Sequence, residues 1–371
     1  MVSPALSADQ TWIEPPARSA RGYPVPWPDV VPQIPQAHGA HREFAIEWWY
    51  WIGHLESHDG SEYFGFQSTI FRLAGDPDLA AEHDEETVFG NRQLYMSHVA
   101  LTDVRRNTFQ HSERIYREGW QAEAKVGELG LRVGPIRAYE NPEGEGFILH
   151  TLYENEDRLR LELRPLKPLL RFGERGLSRK GADPSAVSWY WTYSRIEAEG
   201  VLYRNGREIP VRGTVWMDHE ISSSQLGSDL GGWDWTCMKL DDGTEVKAYR
   251  LRRLDGTSDP WSKVYWIDRD AGLHSVYADR FRWEEDAFWT SPETGLRYPT
   301  RVFIRAMDPR NGEERVYQLR PMVEAQEFVG TDGGNPYWEG ACEVFNEQGE
   351  KIGIAYLELA GYGGGLSSRL N

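Results

Sequence analysis

The chain has 371 residues, and its 41 basic and 58 acidic side chains give a formal net charge of −17. This charge disfavours nucleic acid and anionic membrane surfaces as partners, because both are polyanions. No stretch of the sequence approaches the ~18 consecutive apolar residues that span a bilayer, and the 16 tryptophans favour strands and broad apolar cavities.

The sequence contains two cysteines, Cys237 and Cys342. They could form one bridge, but they imply no disulfide framework and lack the spacing of metal ligands. The N-terminus has neither the charged start nor the apolar run of a secretory signal. The sequence as given therefore predicts a cytoplasmic protein, or a periplasmic or secreted one if an export signal has been removed.

Residues 1–40 are rich in proline and predict an extended arm without regular structure. From residue 43 onward, short runs rich in Val, Ile, Tyr, Trp and Phe alternate with Gly, Asp and Asn turns, which is typical of strands. A Ser- and Gly-rich segment, residues 222–232, predicts a boundary between two domains, 41–221 and 222–371. The predicted fold class is all-β, with a β-barrel or sandwich in each domain.

The first unusual block is residues 47–51, with the sequence Glu-Trp-Trp-Tyr-Trp. A strand turns alternate side chains to opposite faces. Trp48, Tyr50 and His54 are therefore expected on one face, and Glu47 on the other. Because both faces carry large aromatic groups, we expect a core on one side of this strand and a pocket or second layer on the other.

The second block is residues 216–220, with the sequence Trp-Met-Asp-His-Glu. The same alternation places Trp216, Asp218 and Glu220 on one face, and His219 on the other. A carboxyl group buried among tryptophans has a raised pKa, because desolvation disfavours its charged form. Such an acid stays protonated and can donate a proton. Under the alternative interpretation, Asp218 and His219 form a buried structural pair.

These blocks resemble a known family. Residues 38–55, from His-Gly-Ala-His to Trp-Ile-Gly-His-Leu, are similar to the opening signature of the lipocalin-like carotenoid 1,2-hydratase (hydroxyneurosporene synthase) superfamily. Three further similar blocks follow in chain order, at 95–103, 213–235 and 337–362. The likeness is greatest to the branch described as secreted hydrolases, and fungal Diels–Alderases of decalin biosynthesis share the two-domain lipocalin-like architecture.

The resemblance implies two consecutive lipocalin-like domains, a pocket in or between them, and an apolar isoprenoid or polyketide-like ligand. In the hydratases an acidic residue protonates a carbon–carbon double bond, and water attacks the carbocation. By motif position Asp218 is the proton donor here, supported by Trp216 and His219. The hydratases also use a His and Trp pair upstream of this block, whereas residues 188–193 contain no histidine. This departure disfavours a carotenoid as the substrate.

We therefore expect a cofactor-free enzyme that adds water to a double bond of a hydrophobic isoprenoid or polyene, with Asp218 and His219 as catalytic residues. The side chains expected to bind substrate and stabilise positive charge are Trp48, Tyr50, Trp191, Tyr193, Trp216, Trp233 and Trp235. The expected supporting polar residues are Glu47, His54, His98 and Glu220. Two alternatives stay open, namely a carrier of apolar ligands without chemistry and a pericyclase whose pocket folds a polyene.

Other classes of site find less support in the sequence. His54, His98 and His219 could offer three imidazoles to zinc, but they lack a local spacing signature, so no metal is expected. No Gly-x-Ser-x-Gly elbow marks a hydrolase nucleophile. No phosphate-binding glycine loop follows a strand, so no nucleotide cofactor is expected. The expected partner is a hydrophobic small molecule, and no oligomeric state is predicted.

Overall fold

The computed structural model describes residues 12–75, 93–227, 229–330, 335–364 and 366. The strands of its first sheet are β1 (Ile46–Ser57), β2 (Tyr63–Ala74), β3 (Gln93–Asp103), β4 (Thr108–Arg117), β5 (Ala122–Ala124), β6 (Gly130–Val133), β7 (Ile136–Glu140), β8 (Phe147–Leu152), β9 (Arg158–Pro165), β10 (Leu170–Arg171), β11 (Leu177–Arg179), β12 (Val187–Arg204) and β13 (Arg207–Ser222).

The second sheet follows the first in sequence. Its strands are β14 (Leu230–Leu240), β15 (Glu245–Arg253), β16 (Lys263–Ile267), β17 (Leu273–Tyr277), β18 (Phe281–Thr290), β19 (Arg297–Met307), β20 (Glu314–Pro321), β21 (Glu327–Phe328), β22 (Tyr337–Phe345) and β23 (Lys351–Ala360). The all-β fold class with two consecutive β units is thus confirmed. The predicted boundary segment lies between β13 and β14, and the division into domains at that point stays a prediction.

The first sheet has the strand order β4-β3-β2-β1-β13-β12-β9-β8-β7-β6-β5 and curls into a nearly closed barrel. Its long central strands β1, β12 and β13 pair antiparallel. The second sheet has the order β17-β16-β15-β14-β23-β22-β20-β19-β18. The last strand in the chain, β23, therefore lies in the middle of its sheet, between β14 and β22.

The two faces of β1 explain its run of aromatic residues. Trp49 and Trp51 are fully buried in the core of the first barrel. Tyr50 and Ile52, from the alternate positions, belong to a cluster between the two sheets. Burying a large apolar side chain contributes roughly 1.5–3 kcal/mol, so both faces of this strand stabilise the fold. The strand has a core on one side and a second layer on the other, as its alternation predicts.

The second sheet is organised in the same way. Trp266 and Trp338 are buried in its own core, whereas Tyr249, Tyr265 and Tyr356 face the first sheet. The tyrosines bring hydroxyl groups into the layer between the sheets. This layer is therefore aromatic but not purely apolar, and polar chemistry can be placed there.

Little regular structure precedes β1 in the described residues, where residues 12–45 contain a short 3-10 helix, Gln36–His38, and an isolated bridge between Arg18 and Pro24. A second 3-10 helix, Ala278–Arg280, follows β17. None of the helices in the described part of the chain has the length and apolarity needed to cross a bilayer. Cys237 and Cys342 are both buried and free.

Candidate functional site

A cavity of about 500 Å³ lies between the two sheets. Strands β1, β2, β3, β12 and β13 contribute to one wall, and β14, β15, β22 and β23 contribute to the other. Its volume lies within the range of roughly 300–1,000 Å³ found for small-molecule sites. Much of the lining is apolar and aromatic, as shown by Trp48, Phe71, Met96, Leu226, Trp233 and Trp235. The cavity suits a largely apolar molecule.

Four carboxyl groups line this cavity. Asp218 and Glu220 project from β13 on the first sheet, while Glu339 projects from β22 and Glu358 from β23 on the second. Acidic side chains are almost never buried without partners, because desolvating a charge is costly. The partners of each carboxyl group therefore indicate its protonation state and its chemical use.

Asp218 is 2 % exposed, and its oxygens accept three hydrogen bonds. The hydroxyl of Tyr190 donates to Oδ2 over 2.7 Å, and the indole N–H of Trp216 donates to Oδ1 over 2.8 Å. The Thr192 hydroxyl also donates to Oδ1. Burial raises the pKa of Asp218, while the nearby Lys247 and these three donors act in the opposite direction. The carboxyl group is thus firmly oriented.

Glu339 and Glu358 stand directly opposite each other on β22 and β23. Burial, followed by the charge of Glu358, raises the pKa of Glu339 well above its usual value. Burial, together with Asp218 and Glu220, raises the pKa of Glu358 to about 7. Both shifts favour the neutral form, so these two groups keep a proton to a higher pH than an ordinary glutamate does.

One member of this pair accepts a direct hydrogen bond, since the Tyr50 hydroxyl donates to Oε1 of Glu339. Gln67 acts on the same carboxyl group and Trp233 acts on Glu358, and each lowers the pKa of the group it faces. Glu339 is therefore held in position on the cavity wall.

A chain of polar groups leads away from Glu339 along the wall. Gln67 Nε2 donates to the Tyr337 hydroxyl over 3.2 Å, and this hydroxyl lies 2.8 Å from Nδ1 of His98. His98 Nε2 lies 3.2 Å from a carboxylate oxygen of Glu113. Burial lowers the pKa of His98 to about 3, so its imidazole is neutral at physiological pH.

Two lysines accompany the carboxyl groups of the first sheet. Lys180 forms a 2.8 Å ion pair with Glu220. Lys247 is fully buried, and its Nζ lies 3.2 Å from the ring centroid of Tyr190 and 3.7 Å from that of Phe172. Burial lowers the pKa of Lys247 well below its usual value, whereas Asp218 acts in the opposite direction. Lys180 thus places a paired positive charge beside β13, whereas burial disfavours the charged form of Lys247.

His219, the neighbour of Asp218, points to the other face of β13 and contributes to a polar cluster in the first barrel. Its Nε2 lies 2.8 Å from Oε1 of Glu47, and His41 Nδ1 lies 3.0 Å from the same oxygen. Arg72 donates to Oε2 over 2.8 Å. Burial alone would raise the pKa of Glu47, but Arg72 and the two histidines hold it well below its usual value.

This barrel cluster is also where the described residues could hold a metal ion. Ligand atoms of His41, Glu47 and His219 all lie within 4.8 Å of one another. However, both imidazoles already bind a single oxygen of Glu47, and the buried guanidinium of Arg72 supplies the compensating charge. The donor set therefore suits a hydrogen-bonded ion pair better than a second cation.

The remaining predicted residues divide between the two layers. Trp48, Tyr50, Trp233, Trp235, His98 and Glu220 line the cavity together with Asp218. Trp216 contacts Asp218 from the layer between the sheets. His54 lies in the same layer, where its Nε2 donates to the carbonyl of Ala355 over 2.9 Å.

Trp191 and Tyr193 are placed elsewhere, since they share the barrel-side face of β12. The ring of Trp191 contacts that of His219 at a centroid distance of 5.7 Å. The Tyr193 hydroxyl lies 3.2 Å from Nε2 of His38. The structure therefore does not bring these two aromatic residues, or His219 and Glu47, to the cavity that Asp218 lines.

The sequence analysis missed several polar residues of the cavity, above all Glu339, Glu358, Gln67, Lys180 and Tyr190. Glu339 and Glu358 do carry a signal, because each is an acid flanked by apolar or small residues in a largely apolar strand. Such a residue must be partnered or functional if it is buried. Their pairing depends on the register of β22 against β23, which the local sequence does not specify.

The comparisons with known proteins agree with this architecture. The AttH-like family model matches residues 26–362. The crystal structure of a protein described as AttH from Nitrosomonas europaea is 31% identical and covers 89% of this chain and 97% of its own, with a TM-score of 0.76. No curated protein matches the chain.

One more distant structure shares the fold. Kievitone hydratase from Nectria haematococca is 11% identical and covers 94% of this chain and 98% of its own, with a TM-score of 0.67. CghA with Sch210972 covers 84% of this chain and 88% of its own at 12% identity and a TM-score of 0.46, which carries no inference. The resemblance found in the sequence is confirmed by the family match, and kievitone hydratase shares the fold. The chain belongs to the AttH-like family.

Proposed function

We propose that this protein is a cofactor-free acid–base enzyme that adds water to a carbon–carbon double bond of an apolar small molecule, or removes it. The observation that carries the proposal is the placement of four carboxyl groups on the wall of one aromatic cavity. In two of them the pKa is raised, to about 7 for Glu358 and well above its usual value for Glu339, as a proton donor at neutral pH requires.

The cavity supplies what each stage of this reaction needs. Alkene protonation requires an acid held protonated beside apolar surface, and burial among aromatic rings provides it. The carbocation that follows is stabilised by electron-rich ring faces, worth roughly 2 kcal/mol each when desolvated. Trp48, Trp233 and Trp235 present such rings in the cavity. A second carboxyl group can then accept a proton from the attacking water.

The substrate class follows from the lining and from the family. An isoprenoid or polyene double bond matches the apolar walls, and the fold is shared with a protein named kievitone hydratase. The cavity volume suits a drug-sized molecule. We therefore propose unsaturated isoprenoid-type compounds as substrates, with kievitone and simple prenyl alkenes as first probes.

The test is conversion of these probes in deuterium oxide, followed by mass spectrometry. We expect products that have gained one water molecule and one carbon-bound deuterium. Replacing Asp218 by Asn or Glu358 by Gln is expected to lower turnover at least about hundredfold. The control is Glu343→Gln, on the same strand as Glu339, whose carboxylate pairs with Lys351 at the surface. Full turnover in both cavity variants would rule the mechanism out.

The apolar lining also favours a second candidate, a carrier that binds such molecules without converting them. A carrier would bind the probe with similar affinity in wild type and in Asp218→Asn, and the recovered ligand would contain no deuterium. A pericyclase would give an isomer, also without deuterium, at a rate nearly independent of pH. The same experiment therefore separates all three functions.

A further inference from the structure

We propose that the Glu339–Glu358 pair, on the second sheet, donates the proton to the alkene, and that Asp218 is the carboxylate that takes a proton from the attacking water. This assignment rests on the proposed function. It reverses the role that motif position gives to Asp218, and it makes the reaction depend on both sheets.

The hydrogen bonds of Asp218 favour its ionised form. An indole N–H can only donate, so Oδ1 of Asp218 must accept the bond from Trp216. The Tyr190 hydroxyl donates to the other oxygen, and Thr192 adds a third bond. Hydrogen bonds donated to a carboxylate stabilise its charge, so these three donors act against the burial that raises the pKa of Asp218. They also turn both carboxyl oxygens into hydrogen-bond acceptors, which is the arrangement of a proton acceptor.

The glutamate pair lies in the opposite situation. Glu339 and Glu358 are direct neighbours across two strands, so ionising both would place like charges side by side. In the described part of the chain neither forms an ion pair, and Lys180, whose charge acts on Glu358, is already bound to Glu220. Two carboxyl groups in such a site share at least one proton.

The other groups that face the pair do not change this conclusion. They lie on β1, β12, β13, β14, β22 and β23. They are Asp218, Glu220, Tyr50, Tyr190, Tyr337, Tyr356 and Cys237. The two acids add negative charge, which makes ionisation of the pair less favourable. Burial raises the pKa values of the tyrosines and the cysteine, so these groups are neutral near pH 7.

The reaction balances with these groups alone. The O–H proton of the glutamate pair moves to one alkene carbon, and the π electrons form the new C–H bond. The water oxygen then forms a C–O bond to the other carbon and loses a proton to the Asp218 carboxylate. Proton transfer from Asp218 back to the pair resets the site. Asp218 lies near enough for its charge to raise the pKa of Glu358.

The first arm of the test needs no substrate. Infrared spectra at neutral pH report the carbonyl band of protonated carboxyl groups. We expect this band in wild type and in Asp218→Asn, and its clear weakening in the double variant Glu339→Gln/Glu358→Gln. In wild type, where Asp218 contributes to the raised pKa of Glu358, the carbonyl band should titrate with a midpoint near pH 7. A band unchanged in the double variant would overturn the assignment.

The second arm uses the hydration assay. The pH–rate profile should fall as the pH rises through about 7, and this limb should be lost in Glu358→Gln. A limb that persists there but disappears in Asp218→Asn would return the donor role to Asp218. If wild type hydrates no probe, the proposed function fails, while the infrared arm still decides where the proton resides. The circular dichroism of each variant checks that it is folded.

Discussion

Strands β1 and β13 separate two sites that contain buried acids, namely the Glu47 cluster in the first barrel and the cavity between the sheets. The pKa values of the acids are shifted in opposite directions at the two sites. In the first barrel, Glu47 is held ionised by Arg72 and two histidines. In the cavity, Glu339 and Glu358 lie opposite each other on neighbouring strands, and burial with nearby acids raises both pKa values, which favours their neutral forms. The comparison shows that burial alone does not fix the state of a carboxyl group, because the partners decide it.

The two sites also differ in their expected roles, since one stabilises the fold and the other is suited to proton transfer. A fully compensated ion pair such as Glu47–Arg72 resists any change of charge and is suited to fixing the strand geometry. A pair of acids that shares a proton costs stability but can exchange that proton at neutral pH. The barrel cluster therefore fixes β1 and β13 relative to each other. This fixes the position of Asp218 on the cavity face of β13.

The largest expected effect comes from breaking the barrel ion pair. Arg72→Met should lower the free energy of unfolding by about 3–5 kcal/mol, because it leaves the charge of Glu47 buried and unpaired. Urea denaturation measures this change. Arg305→Met is the control, since that arginine makes two more exposed ion pairs and should cost at most about 1 kcal/mol. Equal losses in the two variants would contradict the comparison.

Substitutions at adjacent positions of β13 should affect the barrel cluster and the cavity separately. His219→Leu removes a hydrogen bond from buried Glu47 and should cost about 1–3 kcal/mol of stability while leaving probe binding in the cavity unchanged. Asp218→Asn should have the reverse pattern, with a small stability change and a large loss of turnover. Thermal unfolding and turnover, measured on both variants, check this. Similar profiles for the two would show that the faces are not independent.

The pH dependence of stability should show that the cavity acid Glu358, unlike Glu47, is favoured in its neutral form. The pKa of Glu358 is raised from its ordinary 4.5 to about 7, so its neutral form is favoured on folding. Its contribution to stability is fully present below about pH 4.5 and is lost as the pH rises through about 7. Glu358→Gln should therefore gain stability relative to wild type between about pH 5 and pH 8. Urea midpoints of both proteins across this window measure the difference, and a constant difference would refute it.

The smallest expected effect concerns the donor to Glu339. Tyr50→Phe removes the hydroxyl that stabilises the ionised form of this carboxyl group. The glutamate pair should then hold its proton to a higher pH, with a change in unfolding free energy of about 1 kcal/mol. Infrared titration of the carbonyl band detects the shift. A midpoint that moves to lower pH would show that the hydroxyl stabilises the neutral acid instead.

Much of this arrangement could be predicted from local sequence. Strict alternation along a strand placed Asp218 and Glu220 on one face of β13 and His219 on the other, and the structure has this arrangement. The aromatic run of β1 predicted two buried faces for the same reason. The turn-rich segment before β14 marked the passage between the two sheets.

The rest depends on register, which local sequence does not contain. Trp191 pairs with His219 and Tyr193 with Met217, so both aromatic residues turn toward the barrel and not toward the cavity. Glu339 faces Glu358 only because β22 and β23 align in one particular register. A shift of one residue would move either acid to the opposite face. Long-range pairing therefore creates the carboxyl pair, and the sequence of each strand alone could not reveal it.

The central position of β23 has a consequence for synthesis. On the ribosome, every strand of the first sheet emerges before any strand that covers Asp218, and β23, the strand that carries Glu358, emerges last. Until then Tyr50 and Trp216 face solvent instead of the second sheet. The nascent chain thus exposes an apolar aromatic surface that is prone to aggregation and that chaperones can recognise. Glu339 gains Glu358 as its neighbour, and with it part of its raised pKa, only when this final strand is inserted.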